Sequence, residues 1–387
     1  MNLTPIRKLV QRTRRCDPRE LGRDSIVYID IASIDRQTKH IAETQVIPVD
    51  EAPSRARKQV QAGDVLVSTV RPNLNSVAIV PREYHGEIAS TGFCVLCAKK
   101  NKIDPTYLFY FTQTRGFVSR LTRLATGASY PAVSDDTVLD AEIPLPLLSE
   151  QQRIAAILGR ADRLRRLRRT ARELSDTYLQ SVFLEMFGDP VTNLMGWDRA
   201  KVSDLGVIQT GNTPSRKDPE NYGNHIEWIK SDNIIPDQLF VSKSEEMLSE
   251  KGLERGRSVE TGSVLVTCIA GSPTSIGNVA MTDRKVSFNQ QINAVTPHKG
   301  VEPLFLYGLF LAAKPFVQRS TTRAMKRMIS KSKFGNLILI EPPRHLQQRF
   351  AHIVHKFERL RTQQREAERQ AEHLFQALLH RAFQGEV

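Results

Sequence analysis

Apolar residues recur along two stretches of this chain with the three-then-four step of a heptad seam. Ile154, Ile157, Ala161, Leu164, Ala171, Tyr178 and Val182 follow it in the first stretch; Phe350, Ile353, Phe357, Leu360, Ala367, Leu374 and Leu378 follow it in the second. Such a stripe predicts a long helix that needs a partner on its apolar side. The expected helices run from about residue 149 to 186 and from about 345 to 382, each roughly 55 Å at 1.5 Å per residue. One seam position in each is polar, Arg168 and Gln364, and such residues fix register at some cost in stability. The stretches are also copies. A shift of 196 positions carries Gln151, Gln152 and Arg153 onto Gln347, Gln348 and Arg349, Pro146 onto Pro342, Leu164 onto Leu360, and Phe187 onto Phe383, without a gap. Matching seams imply matching packing, so the simplest partner for each helix is the other.

Ahead of each helix the pattern changes to short β-branched runs bounded by Gly, Pro and Asn, which reads as strands. In the first region these runs cover residues 26–31, 64–70, 76–80 and 93–96. Asp104 and Pro105 then supply an N-cap and a first-turn proline for an apolar helix expected to end near Ala125. A small-residue loop, Thr126 to Pro131, and a final strand over 138–145 complete the region. The second region repeats this order. Val60 to Val67 corresponds to Val259 to Val266, Tyr28-Ile29 to Trp228-Ile229, Pro105 to Leu108 with Pro303 to Leu306, and Phe117 to Arg120 with Phe316 to Arg319. Between these anchors the halves differ in length and residue type, and variable loops on a shared scaffold usually carry function. The expected division is 1–145, 146–188, 189–340 and 341–387, alternating strand-rich module and helix.

Composition narrows the partner. The 387 residues carry a formal net charge of +13, which favours a polyanion, either nucleic acid or a membrane surface. No apolar run approaches a membrane span and the first residues lack a secretory apolar core, so the chain is expected to be cytoplasmic, with no membrane partner. Four cysteines without a framework fit a reducing compartment. Cys94 and Cys97 form a lone pair with no second pair at zinc-ligand spacing and read as a buried strand, so no metal is expected. His352 and His355 are expected to be surface residues. Catalytic signatures are missing: no Walker loop, dinucleotide fingerprint, zincin helix, nucleophile elbow or adenine-methylase tetrapeptide occurs. The chain reads as a binder with no catalytic residue.

Arginine with asparagine or glutamine is the chemistry of base-edge readout, whereas lysine more often holds phosphate. Candidate DNA-facing residues are Arg36, Lys39, Arg71, Asn73, Ser129 and Tyr130 in the first region, and Thr213, Arg216, Lys217, Lys230, Lys326, Arg327 and Lys331 in the second. Gly211 to Ser215 fits either a phosphate-holding loop or a surface turn. The basic run from Arg160 to Arg172 fits DNA, an acidic partner, or a solvated face with arginine–glutamate pairs to the second helix. Gln152, Arg153, Ile157, Leu164 and Arg168, with Gln348, Arg349, Ile353, Leu360 and Gln364, are the candidates for helix pairing or subunit docking.

The order of variable module, long helix, variable module and long helix resembles the specificity subunits of type I restriction–modification systems over essentially the whole chain. The residues that carry the likeness are the proline-then-Gln-Gln-Arg helix starts, Met186 to Pro190 with Trp197, Gly211 to Ser215, Trp228-Ile229 and Thr126 to Pro131. The resemblance implies an α+β fold: two strand-rich target-recognition domains separated by two long antiparallel coiled-coil helices, with an internal pseudo-twofold repeat. It further implies that each domain reads one half of a bipartite site in double-stranded DNA and that the helices space the half-sites. Two methyltransferase subunits would dock and supply S-adenosylmethionine, so this chain would hold no cofactor, and restriction–motor subunits would add cleavage. The approach to Tyr28 is shorter than that to Trp228 and has no equivalent of Gly211 to Ser215, which leaves the first module's DNA-facing loops harder to place. The competing readings are a fused enzyme with unrecognised motifs, a coiled-coil scaffold that binds no DNA, and the same role in a related methylation-based phage-defence system.

Overall fold

In the computed structural model, which describes residues 2–236, 238–322 and 327–386, the chain divides into two compact units. The first comprises residues 1–169 and 367–387; the second comprises 170–366.

Unit 1 builds two sheets. One orders the strands Val77–Ile79, Val65–Ser68, Phe93–Ala98 and Val10–Gln11; the other orders Arg14–Arg15, Ala56–Gln59, Ile88–Ser90, Ser25–Ile29 and Gln45–Pro48. Unit 2 has sheets ordered Gly206–Thr210, Ile292–Pro297, Val264–Thr267, Val279–Met281 and Met247–Leu248, Tyr222–Ile229, Val286–Phe288, Ser258–Val259. The repeat extends to register. Ile88 lies opposite Tyr28 in a parallel pair, as Ser287 lies opposite Trp228. Val65 to Val67 and Val264 to Val266, nearly continuous apolar runs, are fully buried because both faces are covered.

Two local expectations are corrected. The helix from Pro105 stops at Phe111 and restarts at Arg115, because Thr112 and Thr114 turn their hydroxyls back to the carbonyls of Phe109 and Phe111. Its counterpart Pro303–Arg319 is continuous. The strand expected over 138–145 is confined to Glu142–Pro144. Ser134 caps a short helix, Asp135–Leu139, whose first turn carries two aspartates.

The long helices form as expected, Leu148–Asp176 continued by Tyr178–Phe187, and Arg344–Gln384. They pair antiparallel within each unit. In unit 1 Arg165 reaches Glu372 at 3.1 Å and Arg169 reaches Glu368 at 3.7 Å. In unit 2 Asp176 meets Arg361 at 3.5 Å, Tyr178 stacks on Phe357, and Phe183 meets Phe350 edge-on.

The seam follows the expected phase only in part. Ile154, Ala161, Phe350 and Phe357 are buried as expected and Gln364 is half-buried, but Leu164, Arg168, Ala171, Tyr178, Leu360 and Leu374 are exposed, and Ile157 and Ile353 are only half-buried. A second buried line runs one residue later through Leu158 and Asp162 to half-buried Arg165, and through Val354, Arg361 and Phe375. The cause is a pair of ion-paired arginines. Arg165 is held by Asp162 on its own helix and Glu372 on the other; Arg361 is held by Glu358 and Asp176 in the same way. The shift of 196 maps every member of the first triad onto the second. The guanidinium carbons also sit over Phe375 at 3.9 Å and over Phe357 at 5.5 Å.

Candidate nucleic-acid interface

Three loops of unit 1 converge. The hairpin Ile34–Asp35 with His40–Ile41 turns on the Asp35 carboxylate, which accepts from the amides of Gln37 and Thr38 and leaves Arg36 exposed at the tip. Lys39 points inward instead and donates to the Asn75 carbonyl at 2.5 Å. Burial, with the Arg165 charge nearby, pushes its ammonium down to about 8. The Arg71 amide donates to the Pro131 carbonyl and its guanidinium to the Ser129 carbonyl. The Arg71 guanidinium also lies 4.6 Å over the Tyr130 ring, and Tyr130 is 68% exposed. Arg71, Ser129 and Tyr130 therefore form one exposed group, with Asn73 exposed beside it. Among the described residues, three of the four non-glycine positions with positive φ fall here: Lys39, Arg71 and Asn75. Left-handed backbone at bulky residues costs free energy and concentrates where function constrains a loop.

In unit 2 the loop after Gly206–Thr210 is a clasp. The amides of Gly211 and Asn212 donate to the carbonyls of Ile292 and Phe288 and so are already used. A Cβ at Gly211 would stand 2.2 Å from the Asn289 carbonyl oxygen, so only glycine fits. Trp228 donates to the Asn212 carbonyl and Tyr222 to that of Pro214. The first two amides of the loop are therefore not open to a phosphate, and its start is anchored as a turn. It presents Thr213 toward Gln290, whose carboxamide oxygen accepts from the threonine hydroxyl. Lys217 is exposed and forms no ion pair among the described residues. Arg216 and Lys230 share the Glu246 carboxylate at 2.9 and 3.1 Å. Lys230 and then Arg216 hold that carboxyl below its ordinary value. One carboxylate thus balances one of the two charges, and the trio keeps a net positive charge.

Arg327 is exposed on a two-residue strand paired with Ile269–Ala270, the counterpart of the Val70 bridge to Ala132 beside Arg71. Lys331 is exposed too, but it lies near Ser203 and Gly206 to Ile208, at the opposite end of the strand that feeds the clasp. Lys326, the counterpart of Tyr130, lies outside the described residues. At the equivalent end of unit 2, exposed Ser272, Thr274 and Asp232 line one cleft with half-buried Gln291, and Gln290 is exposed next to Gln291 in the chain. The sequence reading omitted these residues. Asn289-Gln290-Gln291 between two buried strands was the available signal.

The helix starts are structural. Gln151 is buried; it accepts from the Asp104 amide and donates to the carbonyls of Lys102 and Pro146. Gln347 likewise accepts from the Glu302 amide and donates to Pro342. Gln152, Arg153, Gln348 and Arg349, the residues singled out from sequence, are exposed. Within the basic run, Arg165, Arg166 and Arg169 pair with Asp162, Glu372 and Glu368, whereas Arg160, Arg163 and Arg168 face outward.

Burial pushes the Cys94 and Cys97 thiols up, as inert strand cysteines require. No group of three or more His, Cys, Asp or Glu is placed to hold a metal among the described residues. Nor is any helix there long and apolar enough to cross a membrane. His352 and His355 are exposed.

Residues 27–173 and 195–372 each match the type I restriction modification DNA specificity domain. The chain is 24% identical to the HindI type I restriction enzyme specificity subunit of Haemophilus influenzae, over 94% of each protein. A shorter stretch, 30% of this chain and 26% of the relative, is 32% identical to the MjaIX specificity subunit of Methanocaldococcus jannaschii. Among solved structures, a chain from work on complex assembly and conformational transition of the type I R-M system superposes with a TM-score of 0.68 and 26% identity, over 100% of this chain and 98% of that one. The type I S subunit from M. genitalium shares the fold, with a TM-score of 0.56 and 13% identity over 99% and 96%.

Proposed function

We propose, from the premise that this chain belongs to the type I restriction modification DNA specificity family, that each unit reads one half of a two-part sequence in double-stranded DNA. The single observation that carries this reading is the meeting of Arg71, Ser129 and Tyr130 on exposed, strained loops of unit 1, at the end of the module whose counterpart in unit 2 carries Gln290, Ser272 and Arg327. In unit 1 Arg71 and Arg36 contact base edges, Tyr130 supports Arg71, Asn73 reads beside them, and Lys39 adds positive charge from below. In unit 2 Thr213, Gln290 and Arg327 read bases and Lys217 holds phosphate. Arg216 and Lys230 position the clasp through Glu246, and Lys331 serves elsewhere.

The paired helices set the gap between half-sites. Their exposed positions, Gln152, Arg153, Leu164, Arg168, Gln348, Arg349 and Leu360, offer docking surface to two methyltransferase subunits. Those subunits bring S-adenosylmethionine and the adenine-methylating chemistry, restriction–motor subunits bring cleavage, and this cytoplasmic chain contributes no catalytic group. Methylome sequencing tests the reading in a host carrying the chain and its methyltransferase, beside a strain lacking only the chain. One split adenine-methylated motif that appears only with the chain is expected. Unchanged methylation beside a competent methyltransferase would overturn the proposal.

A further inference from the structure

The hairpin that carries Arg36 is tied to the long helix of unit 1 through His40. The His40 Nδ1 lies 2.6 Å from the Thr38 carbonyl and donates to it, since a carbonyl can only accept. The ring proton therefore sits on Nδ1 and leaves a lone pair on Nε2. A guanidinium can only donate, and the Arg166 Nη1 meets that Nε2. Both contacts demand the same tautomer. Arg166 is itself anchored: its Nη2 lies 3.3 Å from the buried Asp162 carboxylate, and its Nε donates to the Asp162 carbonyl at 3.4 Å. Asp162 also holds Arg165 at 2.7 Å, and Arg165 reaches Glu372 on the antiparallel helix at 3.1 Å. A continuous polar relay thus runs from the helix pair, through Asp162 and Arg166, to the hairpin. On its other side the Lys39 ammonium fastens the hairpin to the Asn75 carbonyl at 2.5 Å.

The module folds without this link in unit 2. The Ala42 amide bonds to the Ser33 carbonyl as that of Ser242 bonds to Asn233, so residues 34–41 and 234–241 are equivalent. In unit 2 that stretch lies against Val279–Met281 instead. Leu239 is buried in the core, its carbonyl accepts from the Met281 amide, and the Val241 amide donates to the Met281 carbonyl. Phe240 stands where His40 stands, and the shift of 196 puts Thr362 in place of Arg166. The Thr362 hydroxyl donates to the Glu358 carbonyl of its own helix at 2.9 Å. Asp162 and Arg165, by contrast, recur as the paired Glu358 and Arg361. What helix pairing requires is kept in both units; among the described residues the arm to the hairpin is built in unit 1 alone.

We propose that Arg166 is a positioning residue for base reading: from the long helix it holds, through His40, the hairpin that presents Arg36. The inference rests on the reading of DNA by unit 1 and adds a residue that touches no base. The test is a double-mutant cycle on the full chain with a duplex containing the methylated motif. Fluorescence anisotropy compares it with a duplex changed at the base pair that Arg36→Ala relaxes. Arg166→Leu and His40→Leu are each expected to lower the preference between the two duplexes about three- to tenfold, the worth of one hydrogen bond. Both together lower it no further. His40→Gln, which keeps an acceptor for the guanidinium, restores most of it. Hydrogen exchange of the free protein supplies a readout without DNA: amides 37–42 exchange faster in both leucine variants, while the strand 93–98 keeps its protection. Effects that multiply in the double variant overturn the proposal. So does weaker binding of both duplexes alike in Arg166→Leu with no effect of His40→Leu, the mark of a plain phosphate contact. A preference that needs Arg36 but not His40 overturns this proposal alone. A chain that prefers no duplex, or whose preference survives Arg36→Ala, overturns the reading by the hairpin and takes this proposal with it.

Discussion

Arg71 owes its pose to three neighbours: the Pro131 carbonyl on its amide, the Ser129 carbonyl on its guanidinium, and the Tyr130 ring beneath it. A stacked guanidinium is held in few rotamers, which lowers the entropy lost when it meets a guanine edge. Arg71→Ala should therefore weaken binding of the matched duplex by about 1–3 kcal/mol and relax specificity at one position of one half-site, read by anisotropy at fixed salt. Lys39 gives a pH signature. With its ammonium at about 8, its charge is present at neutral pH and lost as pH rises past that value. DNA affinity should fall between about pH 7 and 9, and Lys39→Gln should flatten that fall. Gly211→Ala should lower stability by about 1–3 kcal/mol in thermal unfolding, because its Cβ has no room between two carbonyls. Arg71, Ser129 and Tyr130 were legible as residue types in two loops. Their meeting was not, since it depends on a bridge between Val70 and Ala132. Gln290 was hidden because a polar triplet between two buried strands reads as a turn. Arg216 and Lys230 read as unpaired cations because Glu246, which pairs with both, lies in a different loop.

Among the elements, helix lengths, the duplicated starts and the first seam residues of each helix could be read from periodicity, while the second buried line beside them could not. A heptad search counts arginine as a surface residue, yet Arg165 and Arg361 bury their stems against Phe375 and Phe357 and are neutralised by paired acids. The buried line therefore passes through the residues the search rejected. This is open to a paired test. Arg361→Met should cost about 1.5–3 kcal/mol in urea unfolding, the range for hydrogen bonds to charged groups. The same change at exposed Arg168 should stay within about 0.5 kcal/mol. Acid titration gives a second check. Burial alone would raise the Glu372 carboxyl, but the Gln376 hydrogen bond and the Arg165 charge outweigh it, so the folded value lies below 4.5. A depressed carboxylate stabilises the fold above its unfolded pKa and loses that contribution as pH falls through the folded one. Glu372→Gln should accordingly be less stable than wild type at pH 7, with the difference closing below about pH 4.

At the scale of the molecule, the formal charge of +13 says only that the partner is anionic. The duplicated order of module and helix says that recognition is bipartite. Affinity for duplex should fall linearly on a log–log salt plot, with a slope of about −0.9 for each phosphate neutralised. One heptad inserted into both long helices should widen the gap in the methylated motif by about 3 base pairs, at 1.5 Å per helical residue and 3.4 Å per base pair. An unchanged gap would sink the spacer role. The joints between helix and module carry a consequence of another kind. Gln151 and Gln347 fasten each helix start to its module, and every partner they take is a main-chain amide or carbonyl. A fastening that touches no side chain makes no demand on the identity of the residues it grips. Whole modules can then be exchanged like tool heads on a common shank, so that new sequence preferences arise by recombination at the helix starts rather than by slow remodelling of the loops.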